Sequence, residues 1–278
     1  MHRCYDLARY QLAKKLIVIL LLLAGSGVNP SYSQTTIRLA SDEWCPYVCV
    51  ENGQITGGFL VEIVTLSMQV KGIKVESVLV PFSRAMNETA NGNVQGIYSP
   101  PADPRLILSV PIVYARSCFY TLSDYNWFYK DLSSLKNTTL GVIPDYNYDD
   151  SLLDDYVLKN RYNPQLIDMG YGEFAGVNNI KKLLASRFKV MVEDEAVMPL
   201  LIQKLQIDND NRHIIKQAGC LENTISVTIG FSKNDIHSDE WVKALNAGLH
   251  QLELSGKLLA LQRRYQIPVT APRTGSPH

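Results

Sequence analysis

Residues 43–49, EWCPYVC, place two cysteines, a Trp, a Pro and a Tyr within seven positions, and the chain then runs through Gly57-Gly58 into an apolar stretch. Cysteines at i and i+4 can ligate a metal, shuttle electrons, cross-link the chain, or stiffen the wall of a binding site. The zinc reading is disfavoured, because the spacings are not those of paired knuckles and no His sits at ligand spacing nearby. A thioredoxin-like centre needs two intervening residues, and here there are three. Pro46 favours a turn between the cysteines, and only a turn brings them within bridging distance. Beyond an amino-terminal leader the chain has four cysteines, Cys45, Cys49, Cys118 and Cys220. An even number in an oxidising compartment favours disulfides, with three connectivities open. Of these, Cys45–Cys49 with Cys118–Cys220 is preferred.

Other reactive constellations fail on spacing. GYGEFAG, residues 170–176, resembles a dinucleotide-binding loop, but its last Gly comes one residue too late for G-x-G-x-x-G. A flexible strand-to-helix loop is the better reading. G-x-S-x-G, the P-loop and H-E-x-x-H are absent, and His213, His237 and His250 are scattered. No nucleophile–base pair emerges, so neither catalysis nor a metal or other cofactor is expected.

The compartment follows from residues 1–33. Arg3, Arg9, Lys14 and Lys15 form a basic leader before the apolar run 16–24, and Ser31-Tyr32-Ser33 offers small residues at −3 and −1 of a cut before Gln34. The apolar run is about half the ~20 residues that a spanning helix needs. A cleaved signal peptide and export to the periplasm are therefore expected. Removing it takes four Lys/Arg and one Asp from totals of 27 and 27, which leaves a net charge of about −3. Such a balance excludes a basic footprint for nucleic acid or an anionic membrane.

The elements that would position a site alternate between strand and helix patterns. Strands are expected at 36–40, 73–80 and 94–98, with helices between them: one carries Phe59, Ile63, Leu66 and Val70 on one face, the next is capped by Ser83. The middle repeats the theme, with strands at 139–143, 165–168 and 189–193 and helices near 149–160, 178–186 and 195–205. A strand at 225–231 precedes a helix with Trp241, Leu245, Leu249 and Leu252 on one face and Ser238 as N-cap, then a short helix at 257–265. Alternation of this kind implies mainly parallel sheets. The fold class expected is α/β, two lobes, each a small sheet flanked by helices, joined by two hinge crossings. Residues 34–115 form the first part of lobe 1, 116–224 the inserted lobe 2, 225–268 the second part of lobe 1, and 269–278 a tail.

Ligands in such architectures sit in the crevice beyond the carboxyl ends of the strands. Aromatic and polar residues gather there: Trp44 and Tyr47 after the first strand, Phe82 after the second, Tyr98-Ser99 after the third. Asp145, Tyr146, Asn147 and Tyr148, then Asp194, follow strands of the second half. Aromatic faces with a few placed polar groups suit a small organic solute.

Taken in order, "CPY…ENGQITGGFLVEI", "VPFSRAM", "NGNVQGIYS", "SLKNTTLGVI", "IKKLLASRFKVMVEDEAV", "IGFSK" and "ALNAGLHQLELSGKLLALQRRY" resemble the family 3 extracellular solute-binding proteins over about 37–267. "EWCPYVC" and "AGCL" look like a branch with extra cysteines. The resemblance implies a venus-flytrap receptor that captures a small polar solute, an amino acid or a related compound. Its usual partner would be an ABC-type importer in the inner membrane, and the receptor would act as a monomer. It also implies roles. Tyr47 would line the cleft, the Tyr146-Asn147 loop would meet a ligand carboxylate, and Asp194 would pair with an α-ammonium group. Arg105, in a segment shorter than the family's, would clamp the carboxylate, with Arg84 and Arg116 as alternative cations. Relatives also act as sensory modules or exported dehydratases; a dehydratase would need Glu193, Asp194 or Glu195 as general acid.

Overall fold

The computed structural model describes residues 34–206 and 214–269; the expected signal peptide and most of the tail lie outside them. Two five-stranded mixed sheets form the framework. The first runs β4-β1-β5-β14-β6, with β1 Thr36–Ser41, β4 Lys74–Leu79, β5 Gly96–Tyr98, β6 Leu106–Leu108 and β14 Ile229–Ser232. The second runs β10-β9-β11-β8-β12, with β8 Ser117–Leu122, β9 Leu140–Val142, β10 Ile167–Met169, β11 Val190–Asp194 and β12 Ile215–Cys220. In each sheet the first three strands in the order run parallel, and the fourth runs antiparallel to the neighbours on both its sides. The chain passes between the sheets twice, through β7 Val113–Ala115 and β13 Ile225–Val227, and these two crossings pair antiparallel.

Helices cover both sheets: α1 Phe59–Gln69, α2 Phe82–Ala90, α3 Leu152–Asn160, α4 Ala175–Leu184, α5 Val197–Lys204, α6 Ser238–Leu254 and α7 Lys257–Arg264. The apolar stripe of α1, Phe59, Leu60, Ile63, Val64 and Met68, is fully buried. Each such side chain contributes ~1.5–3 kcal/mol through burial. Opposite it, α6 buries Trp241, Leu245, Leu249 and Leu252. The two helices approach so closely that a Cβ on Gly248 would lie 2.3 Å from the Ser67 carbonyl oxygen. No described helix is long and apolar enough to cross a membrane.

Several local expectations are corrected. Ser83 lies inside α2, whose N-cap is Pro81, since the segment before it turns at the proline rather than at a hydroxyl. Ser238 opens α6 without capping it; its hydroxyl donates to the Ser232 carbonyl. The strand expected at 225–231 is two strands, because the chain stops pairing with β7 at Val227 and joins β5 and β6 from Ile229. The hairpin of β2 Cys49–Glu51 and β3 Gln54–Gly57 and the strands β6, β8 and β12 had no place in the sequence reading as strands.

Both expected disulfides are present. Cys45–Cys49 closes a loop with Cα atoms 4.4 Å apart. Cys118–Cys220 ties β8 to β12 directly across the ladder. Both bridges fit an oxidising compartment.

Candidate functional site

The Cys45–Cys49 loop is part of the helix machinery. Backbone N–H groups at the start of α1 have no partner within the helix. Here Phe59 N–H donates to the Pro46 carbonyl (2.8 Å) and Leu60 N–H to the Tyr47 carbonyl (3.0 Å), so the bridged loop caps the helix. Gly58 makes this contact possible: its φ is +117°, and a Cβ would fall 2.4 Å from the Tyr47 oxygen. A side chain is excluded there on both counts. Within the loop Trp44 stacks on Tyr47, ring centroids 4.0 Å apart, and Tyr47 meets Phe59 edge-on.

A small, partly open cavity lies beyond the carboxyl ends of the strands. Ser41, Asp42 and Trp44 reach it from the end of β1, and Phe82 from the start of α2. Tyr98 and Ser99 come from the end of β5, Tyr146 and Asn147 from the loop after β9, and Ile225 from the crossing β13. The second sheet's loop closes over the first sheet's wall. Tyr146 donates its hydroxyl to Asp42 Oδ2 (2.8 Å), and its ring meets Phe82 edge-on at 4.8 Å. Glu43 adds two further ties, its N–H to the Glu173 carbonyl (2.9 Å) and its carboxylate to Lys204.

Six of the nine candidate binding residues therefore line the cavity: Trp44, Phe82, Tyr98, Ser99, Tyr146 and Asn147. Tyr98 offers its ring, since its hydroxyl is engaged with Ser77 Oγ at 2.8 Å. Ser99 sits at φ +48°, a left-handed conformation held by its N–H bond to the Thr228 carbonyl. Tyr47 and Asp194 do not reach the lining. Both are buried against each other where the cysteine loop meets the end of β11. Asp194 Oδ1 accepts from Ala196 N–H (2.8 Å) at the start of α5, and Oδ2 has no hydrogen-bond partner of ordinary geometry. Arg105 also lies away from the cavity. It is about half exposed and forked onto Asp103, two residues back. Arg84 pairs with Glu88, and Arg116 with Glu195 at 2.5 Å.

Asp42 was missed by the sequence reading, although the acid pair of "SDEW" directly after a strand signals it. Among the described residues it is the one acidic or basic side chain lining the cavity. Burial pushes its carboxyl up to about 8, partly offset by the Tyr146 hydroxyl. Behind it Glu193 rises to about 8, through burial first and then its acidic neighbours Asp194 and Asp42. Asp194 rises to about 7, again through burial, with Glu195 adding to it. No group of three or more His, Cys, Asp or Glu positioned to hold a metal ion occurs among the described residues.

No family model matches the chain, and no curated protein matches it. Solved structures do. A histidine kinase sensor domain described as similar to periplasmic binding proteins aligns at 14% identity over 86% of this chain and 98% of its own, TM-score 0.69. A mutant of ArgBP from T. maritima aligns at 17% identity over 85% and 97%, TM-score 0.66. The arginine-, lysine-, histidine-binding protein ArtJ from Geobacillus stearothermophilus aligns at 15% over 85% and 96%, TM-score 0.64. Likeness across nearly the whole of each neighbour at so low an identity establishes the architecture: this chain has the two-lobe periplasmic-binding-protein fold.

Proposed function

We propose that this protein is an exported solute-binding protein that captures a small polar solute between its lobes and delivers it to an ABC-type importer in the inner membrane. The carrying observation is the cavity itself, walled from both sheets at their strand ends and latched by Tyr146 on Asp42. In the form described its free space is ≈ 20 Å³, so the lobes must part to admit a solute. Two paired crossings, β7 and β13, form the hinge about which such lobes open and close. Tyr47 and Asp194 then serve closure rather than ligand contact, because each lies in the seam between the cysteine loop and β11.

Native mass spectrometry of protein purified without denaturation tests this reading. A co-purifying small molecule that is returned chemically unchanged after prolonged incubation is expected. Conversion of that molecule to a product would overturn the receptor reading in favour of an enzyme on the same fold.

A further inference from the structure

Two features of the cavity bear on the charge of its solute. The first is the absence of a cation. Among the described residues no Lys, Arg or His lines it, and the three arginines considered as clamps are each committed, Arg84 to Glu88, Arg105 to Asp103 and Arg116 to Glu195. The second concerns the loop after β9, where backbone N–H groups would be the natural donors for a ligand carboxylate. Five of those donors are already engaged within the protein. The N–H groups of Tyr148 (2.9 Å), Asp149 (3.1 Å) and Asp150 (2.8 Å) all donate to the carboxylate of Asp154. Those of Ser151 and Leu153 donate to Asp149, and the Asn147 side-chain amide is held by Asp150. Carboxylates of the protein thus take up N–H groups that a ligand carboxylate would otherwise compete for.

What remains for a solute is one carboxyl group, Ser41 and Ser99, and aromatic faces. Asp42 accepts one side-chain hydrogen bond, from Tyr146; buried in the solute-free protein it holds its proton, and a cation beside it draws that proton off, because an adjacent opposite charge favours the ionised form, which has about four lone-pair sites. Trp44, Phe82, Tyr98 and Tyr146 stand around it. Aromatic faces attract cations electrostatically, more strongly when desolvated. A carboxylate entering this space would be desolvated with no cation in the lining to compensate it.

We infer that the cavity takes a small organic cation without a carboxylate, an amine or guanidine, held by Asp42 and by the faces of Trp44, Phe82 and Tyr146. This rests on the solute-binding reading above and narrows it. It departs from the zwitterionic amino acid that the sequence resemblance implies.

Matched probes test it on the wild-type protein: agmatine against arginine, cadaverine against lysine, and tyramine against tyrosine, each pair differing by one carboxylate, titrated calorimetrically. In at least one pair the decarboxylated member is expected to bind at least ~10-fold more tightly, as loss of an uncompensated buried charge implies. Asp42→Asn is expected to weaken that binding at least ~30-fold, the lower range for breaking a desolvated charge pair from one side. Arg105→Ala is expected to change it less than about 2-fold, as for an exposed pair at a distance. Tighter binding of the amino acid in every pair that binds would overturn the inference, as would binding that survives Asp42→Asn or binding by none of the amines. A neutral or anionic co-purifying solute would overturn it too, while leaving the solute-binding reading intact. If no solute of any charge binds or co-purifies, both readings fall.

Discussion

The two sheets are built to one plan and finished differently. In each, the order is second strand, first strand, third strand, then the strand reached through a crossing, then the strand that leads out toward the other crossing. At the strand ends the likeness stops. The first lobe presents an open aromatic wall with a single carboxylate, Asp42. The second lobe carries three consecutive acids, Glu193, Asp194 and Glu195, and turns them away from the cavity. Glu195 pairs with Arg116, while Glu193 and Asp194 are buried. What the second lobe sends into the cavity is the Tyr146-Asn147 loop. The same scaffold position thus makes a wall in one lobe and a closing seam in the other.

The disulfides give the largest way to break that comparison. Cys118–Cys220 closes a separation of 102 residues within the second lobe, and Cys45–Cys49 one of 4 beside the first lobe's wall. By chain entropy alone, replacing the long-range pair with Ser is expected to cost ~4–5 kcal/mol and the short pair ~2 kcal/mol. Urea unfolding of the two double mutants measures both. The short pair should instead show its effect at the site, because its loop caps α1 and holds Trp44; ligand affinity should fall further than in the long-range mutant.

Acidity sharpens the comparison next. Asp42, with Glu43 and Tyr146 beside it, and Glu193 with Asp194, keep protons to about pH 7–8 in the folded protein. An unfolded carboxylic acid loses its proton near pH 4. Through that window the folded state holds more protons at these groups, so their contribution to stability is fully present below about pH 4 and is lost as pH rises to about 8. The slope is up to ~1.4 kcal/mol per pH unit for each proton. Urea midpoints at pH 5 and pH 8 should differ in that direction, and Asp42→Asn should flatten the difference by one group's share. A midpoint that rises with pH would show that these acids are solvated and that the seam is open.

The smallest effect is expected at Asp194. Its carboxylate accepts from Ala196 N–H at the start of α5, and Asn serves nearly as well there. Asp194→Asn should change affinity less than about 3-fold, well under the effect of losing a charge that touches solute. A loss of 30-fold or more in calorimetry would return Asp194 to the ligand and reverse the division between wall and seam.

Much of the frame was legible because it rests on periodicity and on turn residues. The stripes of α1 and α6 declare themselves, and the strand-end aromatics fall where parallel strands must finish. What escaped has physical reasons. The strand β12, IKQAGC, is largely polar and irregular between Gln217 and Cys220, so it carries no alternation to read. The break at Thr228 is a change of pairing partner, invisible in an apolar run. Tyr47 and Asp194 have the residue types of ligand contacts, but docking of the cysteine loop onto β11 buries them. Arg105 was placed by the family resemblance, while its partner Asp103, two residues away, holds it at the surface.

The central claim, that a solute is enclosed between two lobes latched by Tyr146 on Asp42, is tested most directly by small-angle scattering. Wild-type protein would be stripped by unfolding and refolding, then measured with and without the solute identified by native mass spectrometry, alongside Tyr146→Phe. The radius of gyration is expected to fall on saturation in the wild type. In Tyr146→Phe the solute-free radius should be the larger of the two proteins, because the hydroxyl that reaches Asp42 is gone. An unchanged wild-type radius, with saturation confirmed by calorimetry, would contradict closure about the β7–β13 hinge and place the solute elsewhere.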